Sequence, residues 1–204
     1  MYRLFGSPAT ASQAVHWMLL ELGVPFEVEM LDFDANQQKS ADYLRLNPDG
    51  RVPALVVDGR TVTETGAILM LLAERHPEAA FAPAVGSPER AEWLKWMFWL
   101  AYGPMATYRL WFYDEIPTDR AAVQAQIEGY WDRIDAHLAG RRFMVGDAIT
   151  TADLVLTMLM RWSRNMPKPA SQWPNIAAYL KHMRARPALR DVHAREGVTD
   201  WIND

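Results

Sequence analysis

The chain has 204 residues, half of them hydrophobic and 11% aromatic, with nine Trp, eleven Met and no Cys. Folded units most often hold about 100 to 150 residues, so one large domain or two small ones fit, with apolar material for a core and a greasy pocket besides. A net charge of −4 argues against a general nucleic-acid surface, which needs clustered Lys and Arg; the missing cysteines exclude disulfides, thiolate metal sites and a protein thiol nucleophile.

The start, "MYRLFGSPAT", lacks a basic stretch followed by a long apolar segment, and no later run approaches the ~20 apolar residues of a bilayer span, so a cytoplasmic location without membrane attachment is the expectation. Residues 1–76 alternate between two periods: "MYRLF", a helical "SQAVHWMLLELG", "PFEVEML", a helical "KSADYLRL", then "PALVV", "TVT" and "GAILMLLAERH". That predicts β-α-β, a helix, a hairpin through Asp58-Gly59 and a closing helix, the order of a thioredoxin-like domain.

Residues 77–87, "PEAAFAPAVGS", are rich in Pro, Ala and Gly without an apolar period and read as a linker. From 88 to 204 the pattern is all helical. Ser87, Pro88 and Glu89 form a helix start, Trp93, Trp96, Met97 and Leu100 a stripe, and Gly103-Pro104 a kink or break. "DRAAVQAQIEGYWDRIDAHLAG" closes on Gly140 as a C-cap. In "ITTADLVLTMLMRWSRN" Thr150 and Asp153 resemble a capping box with Asp for Glu, and "WPNIAAYLKHMRAR" and "PALRDVHAREG" complete the set. The fold class is α/β plus all-α.

Two features between Asn47 and Leu69 carry chemistry. Pro53 heads a strand: either its bond is cis, leaving the N–H and C=O of Val52 to pair with an extended peptide ligand, or it is a trans proline opening an edge strand. Glu64-Thr65 opens the next helix, where free N–H groups favour a carboxylate and an adjacent acid favours an ammonium, the two charges of a free amino-acid head. Ordinary capping by Thr63 or Thr65 explains the same residues without a ligand.

With N-P-x-G-x-V-P at Asn47 to Pro53, Glu64-Thr65 where the family has Glu-Ser, the linker, and I-T-x-A-D at Ile149 to Asp153, nearly the whole chain resembles the cytosolic glutathione transferases, most of all their bacterial, beta-like branches. The resemblance implies a thioredoxin-like domain that binds glutathione as co-substrate and an all-helical domain, a homodimer, and an apolar electrophile taken in a cleft between the domains, commonly for detoxification. It implies that Val52 and Pro53 meet the cysteinyl part of glutathione and Glu64 with Thr65 its γ-glutamyl head, while Arg51 or Lys39 either meets the glycyl carboxylate or is a solvated cation.

The family's thiol activator is a Tyr, Ser or Cys after the first strand, but here the aligned positions hold Ala9 and Ala11. Thr10 is the first substitute and Ser12 the second; either can instead cap the helix that follows. Lowering a thiol pKa by two units from about 8.5 takes ~2.7 kcal/mol, within reach of one or two charge-assisted hydrogen bonds. For the electrophile, Tyr102 aligns with a polar cleft position, its hydroxyl a candidate catalytic donor to the thiol or to a developing charge on the substrate, and Met105, Tyr108, Trp111 and Phe112 follow; the same stripe also suits a core or dimer interface.

No His set has metal-ligand spacing, and no metal is expected. A glutathione-dependent isomerase, dehalogenase or peroxide reductase uses the same bound thiolate, and a non-catalytic carrier or scaffold on this fold is the alternative that Ala9 and Ala11 suggest.

Overall fold

The first apolar run, Tyr2–Gly6, forms β1, parallel to β2 (Phe26–Met30) and antiparallel to β3 (Ala54–Val57), which turns back into β4 (Arg60–Thr63). The sheet order is β2-β1-β3-β4, in a computed structural model that describes residues 1–113 and 119–203. The β3–β4 turn is Asp58-Gly59 with φ of 52° and 73°, the two left-handed residues of a type I′ hairpin. Helix α1 (Ser12–Leu22) packs on β1 and on α3 (Thr65–Arg75). Helix α2 (Ala41–Leu46) sends Tyr43 into a buried cluster with Phe5, Leu31 and Ala54, against which Phe33 and Val52 also pack.

The helical unit contains α4 (Pro88–Leu100), α5 (Ala106–Phe112), α6 (Arg120–Leu138), α7 (Thr151–Trp162) and α8 (Pro174–Arg184). Pro104 does not break the chain: a π-helical turn, Ala101–Met105, carries α4 into α5, because a widened turn tolerates the missing N–H. Ser87 sits at the α4 N-cap, yet its hydroxyl makes no capping bond. Two compact units result, Met1–Ala79 with Arg186–Asp204, and Ala80–Ala185. The last helix, α9 (Pro187–Arg195), therefore belongs by contact with the sheet unit, which differs from the sequence-based span of 88–204. Its reasons are local: α9 packs on α1, and Arg186 grips Glu21 through two hydrogen bonds of 2.8 Å.

Asp153 organises the helical unit. Its fully buried carboxylate accepts from the Met144 and Thr150 N–H groups at 2.8 Å and from the Thr150 and Tyr179 hydroxyls at 3.0 and 2.9 Å. Burial pushes this carboxyl above the usual range, with the four donors opposing that effect. The residue is thus more than a helix cap. Asp153→Ala strands several buried donors and is expected to cost about 3 kcal/mol or more in urea unfolding; a loss of only about 1 kcal/mol would reduce its role to capping.

Candidate functional site

The segment Asn47–Pro53 is shaped by its own side chains. Asn47, 2% exposed, donates from Nδ2 to the Arg51 carbonyl at 2.7 Å and accepts from the Asp49 N–H at 3.2 Å. The Tyr43 hydroxyl donates to the same Arg51 carbonyl at 2.5 Å; burial raises the Tyr43 pKa, with Asn47 opposing, so the phenol remains a donor. Gly50 has φ +58°, and a Cβ there would lie 2.8 Å from the Gln38 carbonyl. The Val52–Pro53 bond is cis, and among the described residues the Val52 N–H and C=O have no hydrogen-bond partner. Lys39 Nζ donates to the Asp49 carbonyl at 3.3 Å, and Arg51 is exposed.

Glu64 occupies the N-cap position of α3 with φ 68° and ψ 116°. Such a conformation costs a non-glycine residue of order 1–3 kcal/mol. Its carboxylate is exposed and, among the described residues, unpaired. Thr65 is buried, and its hydroxyl donates to the Ala11 carbonyl at 3.3 Å. Neither Thr63 nor Thr65 caps the helix by side chain. Thr65 therefore offers a ligand its N–H, one of the first-turn donors that lack an intrahelical carbonyl.

The loop between β1 and α1 is a knot around one carbonyl. Thr10 Oγ1 and Ser12 Oγ both donate to the Ser7 carbonyl, at 2.7 and 3.0 Å, lie 2.9 Å from each other, and Ser12 Oγ accepts the Ser7 N–H at 3.1 Å. Ser12 is fully buried, so its hydroxyl builds the loop instead of facing a ligand, a correction to its expected role; Thr10 is half-buried. Ala9 has φ 61°. Its N–H donates to Glu196 at 2.9 Å, and the same buried carboxylate is bonded by Gln13 Nε2 and His16 Nδ1, each at 3.0 Å. Sequence reasoning passes over Glu196, which is 187 residues from Ala9 and carries no local pattern.

In the helical unit Tyr102 is 79% exposed and stacks on Phe98, with ring centroids 6.1 Å apart. Met105 and Trp111 are half-buried, and Arg120 lies over the Trp111 ring. Tyr108 is fully buried among Phe112, Trp131 and Trp162, and burial drives its phenol pKa up. It is a core residue and not a cleft residue; helical spacing alone cannot separate the two. Among the described residues no group of three or more His, Asp or Glu could hold a metal, and no helix is long and apolar enough to cross a membrane.

Residues 1–74 match the family model described as glutathione S-transferase, N-terminal domain, and residues 94–187 the model of the corresponding C-terminal domain. A glutathione S-transferase of Xanthomonas campestris pv. campestris is 30% identical, covering 96% of this chain and 99% of that protein. The dichloromethane dehalogenase of Methylorubrum extorquens is 28% identical over 98% of this chain and 74% of its own. A sphingomonad glutathione S-transferase solved in complex with glutathione superposes with a TM-score of 0.89 at 31% identity, covering 97% of this chain and 100% of its own.

The Asn47–Pro53 geometry is testable through its glycine. Gly50→Ala is expected to destabilise the fold by about 2 kcal/mol, from the left-handed backbone and the contact with Gln38 together, as read by thermal and urea melts; an unchanged midpoint would mean that the loop adjusts freely.

Proposed function

We propose, from the fact that this chain belongs to the glutathione S-transferase family, that it binds glutathione and transfers the glutathione sulfur to an apolar electrophile. The observation that carries the reading is the pairing of two unpartnered features in one unit: the Val52 backbone, and the Glu64 carboxylate at the start of α3. An extended peptide ligand pairs with the first in antiparallel fashion. The ammonium of its γ-glutamyl head meets Glu64, and the head's carboxylate meets the N–H groups at Thr65 and the α3 dipole. Lys39, steered to the Asp49 carbonyl, or the exposed Arg51 meets the glycyl carboxylate.

The sulfur lies against the loop of residues 7–12, where hydrogen-bond donors stabilise the thiolate. The thiol proton passes to solvent, the sulfur lone pair forms the new S–C bond, and the leaving group departs with its electron pair. Tyr102, with Met105 and Trp111, offers an aromatic and thioether surface suited to an apolar electrophile. A cytoplasmic homodimer completes the proposal.

Calorimetry with glutathione, repeated in buffers of different ionisation enthalpy, tests this reading. Saturable binding with proton release near neutral pH is expected; absence of binding overturns it, and binding without turnover of any electrophile leaves a carrier. Glu64→Ala is expected to weaken glutathione about tenfold or more through the lost charge-assisted bond. Glu64→Gly should weaken it equally while leaving stability unchanged or raised by up to about 1 kcal/mol, because glycine relieves the backbone strain. Full affinity in both variants would remove Glu64 from the site.

A further inference from the structure

The loop after β1 borders a cavity of about 460 Å³, within the usual size of a small-molecule pocket. Ser7 and Pro8 give it one wall and residues 30–34 the other. Leu31 is buried and Met30 and Phe33 are half-buried, so the enclosed part of the second wall is apolar; Asp32 and Asp34 are its exposed members. No Lys, Arg or His lines the cavity.

The two carboxylates are held differently. Asp32 Oδ1 accepts the N–H groups of Asp34 and Ala35 at 2.9 and 3.1 Å. Gln37 closes the same turn: its Oε1 accepts the Asp32 N–H at 2.8 Å, and its own N–H donates to the Asp32 carbonyl at 3.0 Å. Asp32 thus builds its loop with one carboxylate oxygen and leaves the other to whatever enters. Asp34 builds nothing with its side chain: among the described residues its carboxylate has neither a hydrogen bond nor an ion pair. The basic residues nearest in sequence to the two walls are engaged elsewhere, Arg3 with Glu29 at 2.6 Å and Lys39 with the Asp49 carbonyl at 3.3 Å.

A cleft carrying charge of one sign on low-dielectric walls focuses its field into the opening and concentrates counter-ions there. Bound glutathione adds another negative charge, because the sulfur against residues 7–12 reacts as a thiolate, which neighbouring carboxylates disfavour. A positive group in the cavity offsets both effects. Its body is organic: a calcium or magnesium ion takes about six or more oxygen ligands, whereas Pro8, Met30, Leu31 and Phe33 offer no side-chain oxygen. A ring and a thioether suit an alkylated cation instead.

We infer that this site prefers electrophiles that carry a positive charge: an apolar body of benzyl size bearing an alkylammonium group, the body against Met30, Leu31 and Phe33 and the cation at Asp32 and Asp34. The inference rests on the glutathione reading above. Asp34 has the larger share, since both of its oxygens are uncommitted. In the reaction a sulfur lone pair forms the bond to the benzylic carbon, the leaving group departs with its electron pair, and the thiol proton goes to solvent. The ammonium and the two carboxylates keep their charges throughout.

Two S-benzylglutathione conjugates test the preference by calorimetry, one with a para trimethylammoniomethyl group and one with its uncharged isostere, a para neopentyl group. The cationic conjugate is expected to bind about five- to tenfold more tightly at low salt, and the ratio to fall toward one at about 0.5 M salt, because exposed charges are screened. Asp34→Asn lowers the ratio to about twofold, and Asp32→Asn combined with Asp34→Asn brings it to about one. Asparagine at 32 retains the Oδ1 acceptor, so the turn is kept. Glu27→Gln removes the same charge from an exposed position of β2 outside the lining and leaves the ratio at its wild-type value. The matching benzyl chlorides, used as substrates, follow the same order in kcat/KM once each is divided by its uncatalysed rate constant.

Equal affinity of the wild type for the two conjugates overturns the preference. So does a ratio that survives the double variant, or one that Glu27→Gln lowers as far as Asp34→Asn does. Failure of glutathione and S-benzylglutathione alike to bind overturns the underlying reading and this inference with it.

Discussion

The buried carboxylate of Glu196 is the constraint on which the site depends. Taking a carboxylate out of water costs several kcal/mol, offset only where donors surround it. Here they are the Ala9 N–H, Gln13 Nε2 and His16 Nδ1. Gln13 and His16 are three apart on α1 and so share a face, while Ala9 belongs to the loop before it. One anion thereby fixes the loop to the helix, with Ala9 kept in a left-handed conformation that alanine otherwise avoids. The anion arrives on the segment after α9, whose own position is set by packing on α1 and by the two bonds of Arg186 to Glu21.

With the loop fixed, a second set of contacts extends from it. The Ala11 carbonyl receives the Thr65 hydroxyl, joining the start of α1 to the start of α3, beside Glu64. On the other side of β1, the Arg51 carbonyl is held by Tyr43 and Asn47, which settles the backbone just before Val52. The three parts of the site are thus oriented by hydrogen bonds to carbonyls of Ser7, Ala11 and Arg51. Each bond sets the direction of a peptide plane, and the N–H groups that face a ligand follow from those directions.

Most of the fold was legible because hydrophobic periods of two and 3.6 mark strands and helices wherever one face is buried. The Asp58-Gly59 hairpin was legible from turn chemistry. What failed did so where spacing underdetermines surroundings. Tyr108 lies on a helical stripe that reads equally as pocket or core, and the structure buries it. Ser87 has the composition of a cap and does not act as one. Pro104 predicts a kink or break, yet the backbone widens into a π turn. The association of α9 with the sheet unit depends on Glu21 and Glu196, residues that no local pattern connects.

The site divides along the same line. The proposed recognition of a peptide-like ligand uses backbone, so its sequence signature consists of residues that shape backbone: Asn47 to hold a carbonyl, Gly50 where a Cβ would collide and Pro53 at the head of the strand, while Glu64 bears its positive φ at a cost. Those requirements are severe, and each falls on a residue type that the sequence itself displays. A donor to sulfur is a single side-chain proton, and any hydroxyl within reach of the sulfur meets the need. Alignment therefore points to Ala9 and Ala11, while the protons stand at Ser7, Thr10 and Ser12. Deciding among those three requires knowing which acceptors each already has, and hydrogen-bond bookkeeping around one carbonyl leaves no mark in the order of residues.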